Sequence, residues 1–156
     1  VPLTSRGTDT AKKTVGRKRG ILTDTIGLIL AVAVAAASLS ENALGIRLLD
    51  QVKKTCPSIS KSWVGTGFEK AAVERGTQLG IDVELGHRNP GVRGFHVVKR
   101  RLVVERGIGW IMMRRRLAHD DETLTTSSEA MICVASIDNL AKSVTDEITP
   151  SWRGTH

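Results

Sequence analysis

The sequence contains no tyrosine, and two phenylalanines with three tryptophans hold its aromatic share to 3%. Platforms that stack unpaired bases need aromatic faces, so a scarcity of rings argues against single-strand recognition and for contacts to duplex phosphates. Cysteine is almost as scarce: Cys56 and Cys133 stand alone, without metal-ligand spacing, which excludes a disulfide framework and fits a reducing cytoplasm. No apolar run approaches the roughly 20 residues that a bilayer requires, since the longest covers residues 26–39. A membrane partner is therefore not expected. Large apolar residues are nearly absent from residues 1–20, VPLTSRGTDTAKKTVGRKRG, which predicts a flexible basic arm.

Positive charge is what the chain has in excess. The net charge is +7 from 23 Lys/Arg against 16 Asp/Glu in 156 residues, and it is unevenly placed. Six basic residues and one acid lie in 1–20, nine and one in 87–119, so 15 of the 23 cations sit in two patches and the rest of the chain is net acidic. Concentration of this kind points to a polyanion, duplex DNA above all, rather than to a generally basic surface. The residues expected to face phosphates are Lys12, Lys13, Arg17, Lys18 and Arg19 in the first patch, and Lys99, Arg100, Arg101, Arg106, Arg114, Arg115 and Arg116 in the second.

Periodicity gives an α/β chain of one domain over residues 21–142, with a tail at 143–156. Residues 19–23 and 28–35 read as a hairpin across Asp24-Thr25-Ile26-Gly27. A basic stretch, an apolar run and small residues over 16–37 also resemble a secretory signal, the alternative reading being an exported protein. Ser40 caps a helix that buries Leu44, Leu48, Leu49 and Val52. KSWVGTGF then gives a short strand, a turn and a helix to Leu79; its glycines lack the spacing of a phosphate cradle, so no small-molecule substrate is expected. Residues 81–85 read as a strand and 86–100 as a basic loop in which His87 and His96 have no partner at ligand spacing. Residues 127–142 form the last helix, with Thr126 and Glu129 at capping-box spacing and Met131, Ile132, Ala135 and Leu140 as core.

The stretch at 100–122, RRLVVERGIGWIMMRRRLAHDDE, sets one carboxylate among arginines on a predicted helix. Val103, Val104, Ile108, Trp110 and Ile111 share one broad face, with Glu105 at its rim and Arg116 near it. Such an acid suits a divalent metal or an ordinary ion pair. Asp120, Asp121 and Glu122 offer ligands by composition, although three consecutive acids commonly form a solvated face.

Several blocks in order carry a family resemblance: GRKR, a strand and DTIGL; GF to KRRLVVER; and W to RRRLAHDDE. Over residues 6–140 the chain resembles the catalytic region of DDE-type insertion-sequence transposases. The resemblance implies a ribonuclease H-like mixed sheet with flanking helices, in which three carboxylates hold two Mg²⁺ or Mn²⁺ ions for DNA strand cleavage and transfer. It places the third acid at Glu105, in VVER. The second belongs in W-x-D-x-G-Y/F, where this chain has Trp63-Val64-Gly65-Thr66-Gly67-Phe68, with Gly65 at the acid position. The first belongs on a central strand N-terminal to the basic arm, so the resemblance implies a sheet with its first strand missing, unpaired edges and poor thermal cooperativity. DNA transposition is thus the activity the resemblance implies, and one acid of three implies an inactive enzyme with doubtful metal binding. A non-enzymatic duplex-DNA-binding protein is the alternative, and homo-oligomers are compatible with either.

Overall fold

The apolar run at 28–36 decides the architecture, because it is buried on both of its faces. In the computed structural model, which describes residues 2–65, 67–68, 70–86 and 99–145, it forms strand β3 (Ile29–Ala36). It pairs antiparallel with β2 (Thr14–Thr23), Arg17 opposite Ala36 and Leu22 opposite Ala31, with an irregularity between Leu22 and Thr23. Alternation then splits the run: Ala31 and Ala33 face one hydrophobic cluster, and Val32 and Val34 face another. A strand covered on both faces reads as continuously apolar. This accounts for the resemblance of residues 16–37 to a secretory signal, since in the fold the same residues are the sheet's hairpin. Among the described residues no helix is long and apolar enough to cross a membrane.

The turn between these strands is built by one side chain. Asp24 Oδ1 accepts hydrogen bonds from the backbone N–H groups of Ile26, Gly27 and Leu28 at 2.8–2.9 Å, and Gly27 takes the left-handed φ of 101° that its place in the turn requires.

The basic arm expected at 1–20 is instead largely ordered structure. A 3₁₀ turn (Leu3–Ser5) leads into β1 (Gly7–Asp9), which pairs with the first residues of β2, Gly7 opposite Gly16 and Asp9 opposite Thr14. Apolar burial does not hold this segment. Backbone pairing does, together with Asp9, whose Oδ1 accepts from Ala11 and Lys12 N–H at 2.9 and 3.0 Å and closes the β1–β2 turn.

Helix α1 (Glu41–Thr55) follows as predicted, with the Ser40 hydroxyl accepting from Ala43 N–H at 3.2 Å and Leu44, Leu48, Leu49 and Val52 buried. Those four side chains cover the Ala31/Ala33 face of β3 and meet Ile81 and Val83. Strand β4 (Lys61–Val64) is joined through α2 (Lys70–Gln78) to β5 (Asp82–Leu85), and β4 and β5 pair in parallel. The described strands therefore form two separate sheets, a three-stranded antiparallel one and a parallel pair. The fold is mixed α/β, and beyond Gly16 the edge of β2 opposite β3 has no described strand beside it.

The helix expected across 100–122 is two helices, α3 (Lys99–Met112) and α4 (Arg115–Ala118). Ile111 and Leu117 are both buried against Val32 and Val34. Six residues apart, they would point about 120° away from each other on one straight helix. The chain breaks at Arg114, whose backbone is extended, so that both reach the sheet. The buried line on α3 also differs from the predicted face: Ile108 and Trp110 are exposed, while Gly107 is buried where α3 crosses β2 beside Ile21 and Thr23. A count of large apolar residues passes over a buried glycine.

Helix α5 (Thr125–Val144) covers the Val32/Val34 face through Ile132 and Ala135. The expected capping box does not form, because Glu129 is used elsewhere. Its Oε1 accepts from Val34 N–H at 2.8 Å and from Arg47 at 2.7 Å, which satisfies an edge group of β3. Leu140, expected in the core, is exposed.

Candidate nucleic-acid interface

The twelve basic residues nominated above divide sharply once their partners are seen. The Arg17 side chain is only 1% exposed and donates to the carbonyls of Glu122 and Thr123 at 2.8 and 2.7 Å, to Asp120 Oδ1 at 3.4 Å and to the Ser5 hydroxyl. Arg19 donates to the Leu117 carbonyl, and Lys18 to the Leu39 carbonyl at 3.2 Å with Asp9 3.6 Å away. Arg114 binds Asp138 and Asn139 Oδ1 of α5. Arg17 and Arg19 fasten β2 to the 113–124 segment, Arg114 fastens that segment to α5, and Lys18 ties β2 to β1 and to the residue before the Ser40 cap, so these four of the nominated cations are occupied within the fold. Arg116, expected near Glu105, pairs with Glu122 at 2.9–3.0 Å while remaining well exposed.

What is left is a smaller set in two places. Lys12 and Lys13 sit exposed in the β1–β2 turn, and Arg115 is exposed on α4; none of the three has an ion pair among the described residues. Glu122 links β2 to α4, since its carbonyl accepts from Arg17 and its carboxylate from Arg116. The second place lies at the other end of β2. There Arg106 donates to the Ile26 carbonyl at 2.8 Å and lies over the Trp110 ring, 5.2 Å from its centre, while keeping an exposed guanidinium. Lys99, Arg100 and Arg101 open α3, and their side chains lie outside what is described, as do Arg88, Arg93, His87 and His96 in the basic loop. A ten-residue strand spans about 33 Å, which sets the separation of the Lys12–Lys13 turn from Arg106, whereas Arg115, nine residues along the chain from Arg106, lies much nearer to it.

The acids show a different pattern. Glu105 is exposed on α3, and no group of three or more His, Cys, Asp or Glu side chains that could hold a metal occurs among the described residues. Asp120 and Glu122 serve Arg17 and Arg116, and Asp24 serves its turn. Gly65 follows β4 directly, and a Cβ built there would meet nothing within 4 Å. Among the described residues the donor set does not fit a pair of divalent ions. Gly65→Asp is expected to change the unfolding free energy by no more than about 0.5 kcal/mol, since the position is open and free of backbone strain. Denaturant unfolding of the variant checks this, and no Mg²⁺-dependent nicking should appear.

Asp138 joins the segment before α4 to α5. Hydrogen bonds from Lys142 first and Arg114 second hold its carboxyl below the ordinary value of 3.8. A depressed carboxyl stabilises the fold above its unfolded value, and the contribution fades as pH falls through the folded value. A carbon-detected NMR titration should find the Asp138 midpoint below 3.8. Arg114→Gln should move it upward.

Comparison of the chain with protein-family models, with curated proteins and with solved structures returned no match.

Proposed function

We propose that the chain is a duplex-DNA-binding protein related by descent to the catalytic region of DDE-type transposases, and that it does not cleave DNA itself. The observation that carries the binding half is the selective pairing of its cations. Arg17, Lys18, Arg19 and Arg114 are turned inward, whereas Lys12, Lys13 and Arg115 are left exposed without ion pairs among the described residues. A fold that neutralised its charge generally would have bound these too. The Lys12–Lys13 turn and Arg106 lie at opposite ends of β2, a separation of about 33 Å that is close to the roughly 34 Å of one duplex turn and supports contact with the backbone on one side of a single DNA.

Support for the descent comes from element order. An antiparallel hairpin, a helix and a parallel β-α-β unit, followed by the helix bearing Glu105, suit a ribonuclease H-like mixed sheet. The division into two sheets suits one that lacks a strand between β2 and β4. Gly65, at the end of β4, stands where the resemblance calls for an acid. A lone Glu105 supplies too few oxygen ligands for two-ion chemistry, which is why cleavage is not proposed.

The test is fluorescence anisotropy on a labelled duplex, with and without Mg²⁺, beside a nicking assay on supercoiled DNA. Salt-sensitive, Mg²⁺-independent binding without nicking is the expected outcome. Metal-dependent nicking would overturn the non-cleaving half, and lack of affinity at low salt the binding half.

A further inference from the structure

The β2–β3 turn, the end of α3 and the second half of α5 enclose an open cavity of about 640 Å³. Pockets that hold small molecules run from about 300 to about 1,000 Å³ and are largely apolar with a few convergent polar groups. This one has that make-up, with Ile26, Leu28, Trp110, Met113 and Leu140 on its walls. The walls are cross-tied by contacts that do not fill the space between them. Asp24 fixes the turn through three backbone N–H groups, and Arg106 ties that turn to α3 through the Ile26 carbonyl while lying over Trp110. Arg114 then ties the chain after α3 to Asn139 of α5. The cavity is therefore formed before anything enters it.

Charge on the walls selects the ligand. Of the fourteen residues that line the cavity, Arg114 and Lys142 are cations and none is Asp or Glu. Both cations reach a single oxygen, Asp138 Oδ2, Lys142 at 2.9 Å. Asp138 is not part of the lining, and its side chain is 41% exposed against 29% for Arg114 and 23% for Lys142. The acid thus lies on the solvent side of the cluster and the cations on the cavity side. Two cations against one carboxylate leave one positive charge, beside apolar walls where water screens it less. The neutral polar groups have the same sense. Asn139 accepts from Arg114 through Oδ1, which leaves its amide nitrogen to donate, and the hydroxyls of Ser136 and Ser143 can donate as well.

We propose that this cavity binds a small amphiphilic carboxylate, its apolar body against Ile26, Trp110 and Met113 and its head group at Lys142 and Arg114. A monoanion matches the single excess charge, whereas a dianionic phosphate exceeds it and a neutral or cationic head leaves it unanswered. Glycine spacing at 65–68 offered no ground for a small-molecule partner; the cavity does. The inference is independent of the DNA reading, because none of Lys12, Lys13 and Arg115 lines the cavity and either can fail alone.

Titration of the full, isotope-labelled chain with octanoate, followed by amide NMR shifts, tests it, with octan-1-ol and octylammonium as neutral and cationic counterparts of the same length. Octanoate should shift the amides of Gly27, Trp110 and Ser136 along one saturable curve. It should bind at least about tenfold more tightly than octan-1-ol, the gain expected of a charge-assisted hydrogen bond, and octylammonium should bind more weakly than either. In Lys142→Gln the remaining Arg114 and Asp138 balance, so the preference for the anion should be lost while octan-1-ol binds as before. Lys142→Arg should keep the preference. No saturable shift with octanoate, shifts away from the cavity, equal binding of octanoate and octan-1-ol, or a preference that survives Lys142→Gln would overturn the proposal.

Discussion

Replacing Arg17 by methionine is expected to lower the unfolding free energy by about 3–5 kcal/mol, the loss seen when one member of a buried charged network is removed. The sequence shows a basic residue in a basic cluster. The structure shows a guanidinium 1% exposed that reaches Asp120, Glu122 and Thr123, more than one hundred residues along the chain. Methionine keeps much of the volume and abandons every donor. The Glu122 and Thr123 carbonyls would lose their partner, and Asp120, whose Oδ2 is already buried without a hydrogen bond, would keep an uncompensated charge. For a chain of this length the midpoint of thermal unfolding should fall by roughly 10 °C. Arg116→Met is the matched control: the Arg116 side chain is 68% exposed, and its loss should cost less than about 1 kcal/mol. Equal small losses for both variants would show that Arg17 does not fasten the fold.

Removing Lys12, Lys13 and Arg115 together by alanine should have the reverse profile, with little effect on stability and a large one on DNA. Each phosphate contact contributes about 0.9 to the slope of log K against log salt, so three should reduce its magnitude by about 3 and weaken binding by on the order of 10²–10³-fold near 0.1 M salt. All three side chains are exposed and without ion pairs among the described residues, so the fold does not depend on them. Anisotropy titrations at several salt concentrations check the slope, and circular dichroism checks the fold. Affinity that falls without a change in slope would mean that these residues act other than through phosphates.

The contrast between the two variants marks what was legible in the sequence. Local signals held: Ser40 announced α1, the burial of residues 31–34 on both faces follows from a continuously apolar strand, and the order strand, helix, strand over 61–85 was readable, though not the parallel pairing of β4 with β5. What failed were judgements that depend on distant partners. The arm at 1–20 looked unable to pack because apolar content was counted, whereas β1, Asp9 and Arg17 hold it by hydrogen bonds. Gly107 was overlooked because a glycine offers no apolar side chain to count. Arg114 was assigned to DNA, although its partners Asp138 and Asn139 lie a helix away. On α5 the core-facing residues Ile132 and Ala135 were found, while the outer strip of Val134, Ile137 and Val144 was not, since a helix apolar on two sides gives no clean moment. For the site, residue type nominated twelve cations; only the pairing partners separated those that fasten the fold from those that remain available.

The central claim, that the unpaired cations bind duplex DNA, is tested most directly by the salt dependence of binding to a labelled duplex. Arg17, Lys18, Arg19, Arg114 and Arg116 are occupied within the protein, so at most seven of the twelve nominated residues remain, and the slope of log K against log salt should be no steeper than about −6. Participation of all twelve would give about −11. A salt-dependent slope no steeper than about −6 that is indifferent to Mg²⁺ is the result predicted here; a flat dependence on salt, or no binding at low ionic strength, would contradict it.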